Sequence, residues 1–89
     1  MKRSRDMIIS HILDICANGA SKTRIVYQAN LNFRTVLPYI ELLTSNGMID
    51  TDKENMQVRY KTTDRGLELL DSYRQVHDML SPDTEKETH

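Results

Sequence analysis

The chain has a single cysteine, Cys16, so no disulfide can form within it. A lone cysteine fits a reducing compartment, and a cytoplasmic location is expected. No unbroken apolar run exceeds three residues, Met7-Ile8-Ile9 being one of that length. A membrane span needs about 20 apolar residues and a signal-peptide core about 7–15, so neither is expected. The histidines, His11, His77 and His89, stand at no metal-ligand spacing from one another or from Cys16. A metal or other cofactor is therefore not expected. The chain also lacks a glycine-rich phosphate loop, a nucleophile elbow and carboxylates paired on a cleft-forming segment, so no catalytic residue is assigned and an enzyme is not expected. Internal repeats and low-complexity tracts are absent as well.

What remains is 89 residues, 38% hydrophobic and 28% charged. That is one globular domain, too short for a second. A domain of this size buries only about 60–65% of the surface its unfolded chain exposes, so a partner would help it. The net charge of −1 conceals an asymmetry. Residues 1–40 carry a net charge of +4, and residues 41–89 a net charge of −5. Such a chain has one side suited to an anion.

Apolar residues recur at helical spacing over residues 5–17, through Ile8, Ile9, Ile12, Leu13, Ile15 and Cys16, until Asn18-Gly19. On this spacing Cys16 is a core thiol. Ser21 caps a second helix over residues 22–29, buried through Ile25, Val26 and Ala29. Asn30-Leu31-Asn32 is a tight break, and Asn32 caps a third helix over residues 33–46. Its inward stripe is Phe33, Val36, Leu37, Ile40 and Leu43. The period then falls to two. Met48–Thr51 reads as a strand, Asp52-Lys53-Glu54-Asn55 as a turn, and Met56, Val58 and Tyr60 alternate with Gln57, Arg59 and Lys61 in a second strand. Thr62 or Thr63 caps a fourth helix that runs to about Leu80. The fold class expected is mainly α with a small β-hairpin: a winged helix-turn-helix over residues 5–62, an added C-terminal dimerisation helix over 63–80, and a disordered tail over 81–89.

Three pieces of the chain carry a family resemblance. The run from Lys22 to Phe33 is similar to the T-R-I-x-Y-x-A-N-L-x-[YF] segment of small archaeal winged-helix proteins. Tyr39-Ile40-Glu41-Leu42-Leu43 through Gly47-Met48-Ile49 resembles their Y-L-x-x-L…G-[LM]-I, and Tyr60 to Gly66 their Y-x-[TL]-T-x-x-G. The match spans roughly residues 8–75. These proteins are regarded mostly as transcriptional regulators, and they include ten-kilodalton Sulfolobus DNA-binding proteins that dimerise through a C-terminal coiled-coil helix. The resemblance implies the fold, binding of double-stranded DNA and self-association.

In such a fold the third helix is the candidate reader. Its outward residues Arg34, Thr35 and Tyr39, with Asn32 at the tip, are the candidate base contacts, since Arg pairs with guanine and Asn with adenine. Pro38 removes one backbone bond and is expected to kink this helix. The second helix opens with Lys22 and Arg24, two cations at the positive end of the macrodipole. That arrangement costs about 0.3–1 kcal/mol per charge unless an anion sits there, so both are candidate phosphate contacts. Lys53 at the wing tip and Arg59 and Lys61 on one strand face complete the phosphate set, with the wing, residues 52–61, on the backbone or in the minor groove. Lys2, Arg3 and Arg5 form a candidate basic arm. Each of these is also readable as a solvated surface residue. On the fourth helix Leu67 and Leu70 are expected to cover the domain's own core. Leu69, Tyr73, Val76 and Leu80, spaced by four, three and four, form the candidate dimer seam. Tyr27 and Tyr60 read as aromatics at the rim of the core. The function expected is sequence-preferring binding of double-stranded DNA by a homodimer, a transcriptional regulator. The alternative is a protein-interaction module, motivated by the near-zero net charge, the acidic wing tip and Pro38.

Overall fold

A computed structural model describes residues 4–80. Eleven residues, Arg5–Ile15, form α1, capped by Ser4, whose Oγ accepts the Met7 N–H at 3.1 Å. The α-helix ends two residues earlier than the spacing predicts, and the chain tightens into a 3₁₀ turn over Cys16–Asn18. Gly19 follows at φ 89°, and its N–H closes the turn on the Cys16 carbonyl at 2.9 Å. Next comes β1, Ala20–Ser21, a strand the sequence does not announce, because two residues have no period. The second helix, α2, spans Lys22–Ala29 as expected, with Ser21 Oγ accepting the Arg24 N–H. Asn30 ends it in the left-handed conformation at φ 58°. The Leu31 N–H then reaches back to the Val26 carbonyl, a closure that glycine usually serves and asparagine tolerates.

The third helix, α3, spans Phe33–Ser45, and its helical pattern runs through Pro38. Gly47, at φ 74°, lets the Met48 N–H bond to the Leu43 carbonyl and turn the chain into the wing. The wing strands are β2, Ile49–Glu54, and β3, Gln57–Thr62, paired antiparallel from Ile49↔Thr62 to Glu54↔Gln57. The first is longer than the four residues the alternation predicts, and the second is shifted by one residue. The turn is Asn55-Met56, both at positive φ, rather than residues 52–55. The polar residues 52–54 stay in strand because a hairpin arm beyond the core needs only its backbone ladder and a two-residue turn. The order in the sheet is β1-β3-β2, with Ala20↔Tyr60 and Ser21↔Arg59 in register.

The last helix, α4, spans Asp64–Leu80. Thr63 is its cap. Its Oγ1 accepts the Gly66 N–H at 3.0 Å and donates to the Gly47 carbonyl at 2.6 Å. The core lies between α1, α2, α3 and the sheet, with Ile12, Leu13, Cys16, Ile25, Val36 and Ile49 fully buried. Cys16 is the expected core thiol, and burial pushes its pKa from 9.0 up to about 12. Thr62, also buried, donates to the Leu13 carbonyl at 2.7 Å and ties the wing strand to α1.

Several face assignments change. Phe33, expected inward, stands at the first turn of α3 beyond the core and is exposed. Leu37 is half-buried, and so is Tyr39, expected outward, which packs against the core. Tyr27 is exposed rather than at the core rim, whereas Tyr60 is buried. Leu67, expected on the domain's own core, is exposed, and its place is taken by Leu69 and Tyr73 beside Leu70.

Candidate functional site

No acidic residue occurs between Asp14 and Glu41. That acid-free stretch contains α2, the turn and most of α3, and it carries Lys22, Arg24 and Arg34. Arg24 and Arg34 are exposed and Lys22 is half-buried. Neither α2 nor α3 has an acidic residue in its first turn, so the N-terminal dipole of each helix adds to the positive field. The pairing Ser21↔Arg59 sets the start of α2 directly beside the middle of the wing strand. The sheet therefore brings Lys22, Arg24 and Arg59 into one neighbourhood, although they lie far apart in sequence.

The other predicted contacts are placed less uniformly. Asn32 caps α3, its Oδ1 accepting the Thr35 N–H at 2.8 Å. That bond uses one lone pair of the oxygen and fixes the side chain as a cap, so the two-point contact with adenine expected of Asn32 must be made with the other lone pair and the amide donors. Thr35 is half-buried and Arg34 projects from the same turn. Arg59 donates to the Gly19 carbonyl at 3.0 Å, which holds the guanidinium against the turn after α1. It lies opposite Asp52, and Lys61 lies opposite Asp50, so each wing cation on this face has a carboxylate as cross-strand neighbour. Lys53 lies opposite Val58, on the other face of the hairpin from Arg59 and Lys61. Lys2 and Arg3 lie outside the described residues.

Among the residues proposed for a dimer seam, Leu69 and Tyr73 are half-buried against their own core, while Val76 is 52% exposed. The side chain of Leu80 lies outside the described residues. Beyond Val76, Met79 is 80% exposed, and Met7 on α1 is also open to solvent. A groove of about 590 Å³ runs between α1 and α4, lined by Met7, His11, Tyr73, Val76 and His77 among others. Arg74 spans it to Asp14 at 2.7 Å. Tyr73 O–H points to Asp6 at a long 3.5 Å, and its pKa is raised by burial and then by the Asp6 charge. Among the described residues no helix is long and apolar enough to cross a membrane, and no group of three or more His, Cys, Asp or Glu is placed to hold a metal ion.

Sequence reasoning missed the two exposed aromatics, Tyr27 and Phe33. For Tyr27 a signal was available: with Ile25 and Ala29 inward, it points about 200° away from each. Phe33 gave none, since it continues the stripe of Val36 and Ile40 and is exposed only because it stands at the helix end.

Three helices, a two-stranded wing and a third strand closing its base define a winged helix-turn-helix. The sequence agrees: a profile of the winged helix-turn-helix family matches residues 2–81, and the chain belongs to that family. A curated relative, the uncharacterised protein MJ0287 of Methanocaldococcus jannaschii, is 37% identical over 81 residues, covering 90% of this chain and 79% of its own. The crystal structure of Sso10a-2, a DNA-binding protein from Sulfolobus solfataricus, superposes with a TM-score of 0.76 at 25% identity, covering 97% of this chain and 94% of that one. The adhesin competence repressor AdcR of Streptococcus pyogenes shares the fold, with a TM-score of 0.74 at 16% identity over 96% of this chain and 65% of its own.

Proposed function

We propose that this protein is a homodimeric transcriptional regulator that binds double-stranded DNA, with α3 in the major groove and the wing along the backbone. The observation that carries the reading is the acid-free run through α2 and the first two turns of α3, which presents Lys22, Arg24 and Arg34 around two helix N-termini. A polyanion neutralises cations that otherwise oppose the α2 dipole. The likeness to Sso10a-2 over nearly the whole of both chains supports the same reading. Phosphates are held by Lys22 and Arg24, with smaller contributions from Lys53, Arg59 and Lys61. Base edges are read by Arg34 and Thr35, with Asn32 and Tyr39 in supporting places.

Residues 5–62 form the DNA-binding unit and α4 joins two protomers. The surface that supports pairing is Val76 and Met79 on α4 with Met7 on α1, since Leu69 and Tyr73 serve their own core first. A two-fold axis there would set the two reading helices about one turn of duplex, or a multiple of it, apart.

Fluorescence anisotropy on a labelled duplex across a salt series tests the DNA reading. Log affinity should fall linearly with log salt, with a slope of several, and Arg24→Ala should reduce that slope by about 1. Arg34→Ala should instead relax preference at one base pair by about 1–3 kcal/mol. Absence of binding at low salt to any duplex in a random pool refutes the reading. Sedimentation equilibrium tests the dimer, which Val76→Asp should dissociate.

A further inference from the structure

On the reading just given, on which this inference rests, the N-terminal end of α3 meets the bases first. Of the four side chains the sequence offers there, Asn32 is held as the helix cap by its bond from the Thr35 N–H, and Tyr39 is packed against the core. Beside the exposed Arg34, two aromatic side chains also stand open to solvent, one on either side of the turn. Phe33 is the first residue of α3 and is 46% exposed, and Tyr27, on the last turn of α2, is 83% exposed. Neither ring gains from the core what an aromatic of its size ordinarily gains. Both lie within the acid-free stretch, and Tyr27 follows Arg24 by three residues, on the same helical face. Apolar rings within a cationic surface match a polyanion that carries apolar points. In the major groove of duplex DNA the apolar point is the thymine 5-methyl group, which phenylalanine contacts favourably.

We infer that Phe33 reads a thymine methyl at the tip of α3, and that the Tyr27 hydroxyl donates to a phosphate beside it. The protein therefore prefers an A·T pair with its thymine under the start of α3. Arg34, one residue on, reads an adjacent position.

The test begins with the duplex selected from a random pool. Each thymine is replaced in turn by deoxyuridine, which removes the methyl and leaves every hydrogen-bonding group in place. At one thymine per half-site, uracil should weaken binding about fourfold, the equivalent of one buried methyl. Phe33→Ala should bind about equally to the thymine and uracil duplexes. Tyr27→Phe should weaken all duplexes by a similar factor and keep the methyl preference. Wild-type indifference to uracil at every thymine overturns the proposal, and so does a Phe33→Ala protein that discriminates as the wild type does. If Phe33→Ala does not fold, the uracil series on the wild type decides alone. Failure to bind any duplex overturns the DNA reading itself, whereas tight binding without methyl discrimination overturns only this inference.

Discussion

The hydrogen bond from Thr62 to α1 makes the wing's attachment measurable. Thr62 Oγ1 donates to the Leu13 carbonyl at 2.7 Å from a buried position at the end of β3. Leu13 belongs to the last turn of α1, where carbonyls lose their helical partners. Valine has the shape of threonine, so Thr62→Val removes the donor without opening a cavity. The stranded carbonyl costs about 1–3 kcal/mol. The methyl that replaces the hydroxyl returns about 0.8 kcal/mol of burial. The expected net loss is about 1–2 kcal/mol. For a domain of this size that lowers Tm by roughly 5–15 °C. With a urea m-value of about 1 kcal/mol per M, the midpoint falls by about 1–2 M at unchanged m. Circular dichroism during urea titration reads this directly, at one fixed protomer concentration because self-association would shift the midpoint. Thr62→Ala, which has neither of valine's methyls, should cost about 1.6 kcal/mol more than Thr62→Val. A Thr62→Val protein as stable as the wild type, or more so, would refute the argument that this bond is what holds the wing strand to α1.

Three further outcomes are expected. Gly66 sits where α4 crosses the start of β2, and an added Cβ would lie inside the Met48 carbonyl oxygen and against the Thr62 methyl, so Gly66→Ala should destabilise by about 3 kcal/mol, read as a loss of Tm. Cys16 is held neutral in the folded state, its pKa pushed from 9.0 up to about 12, whereas the unfolded thiol ionises near its ordinary value. Its contribution is therefore complete below about pH 9 and lost progressively from there toward pH 12, amounting to about 1.4 kcal/mol at pH 10. Urea titrations at pH 8 and pH 10 should show Cys16→Ala losing correspondingly less stability than the wild type over that interval. Met56 holds φ 65° in the wing turn while 93% exposed, so Met56→Gly relieves a left-handed side chain and should raise Tm by a few degrees, against the usual cost of an added glycine.

Much of this architecture was legible because its punctuation is local. Ser21 and Asn30 bound α2, Asn32 starts α3, Gly47 turns it into the wing and Thr63 starts α4, and each acts through hydrogen bonds within a few residues. What was not legible depends on partners distant in sequence. Ala20–Ser21 is a strand only because Tyr60 and Arg59 lie beside it. Arg59 looked like a free wing cation, and the Gly19 carbonyl forty residues earlier gives it a structural bond. On α4 two readings of one surface overlapped. Leu69 and Tyr73 fit a seam spaced by four and three, yet they adjoin Leu70 on the wheel, and the domain's own core takes them before any partner can. The helices of the candidate surface were legible and the placement of its side chains was not, because a cap bond fixes Asn32 and a helix end exposes Phe33.

The charge distribution gives this geometry its consequence. The molecule extends 48 × 27 × 21 Å, several times the Debye length of about 8 Å at physiological salt. Charges on opposite sides therefore do not cancel, and the net −1 describes neither side. Lys22, Arg24 and Arg34 lie on α2 and α3, while α4 carries Asp64, Glu68, Asp71 and Asp78 against Arg65 and Arg74. The wing lies between these regimes, since Asp50 and Asp52 face Lys61 and Arg59 across the strands. A phosphate approaching the wing must compete with carboxylates directly opposite its cations, whereas α2 itself carries cations and no acidic residue. The salt dependence of binding should thus arise chiefly from Lys22 and Arg24, with Lys61→Ala changing the slope less than Arg24→Ala.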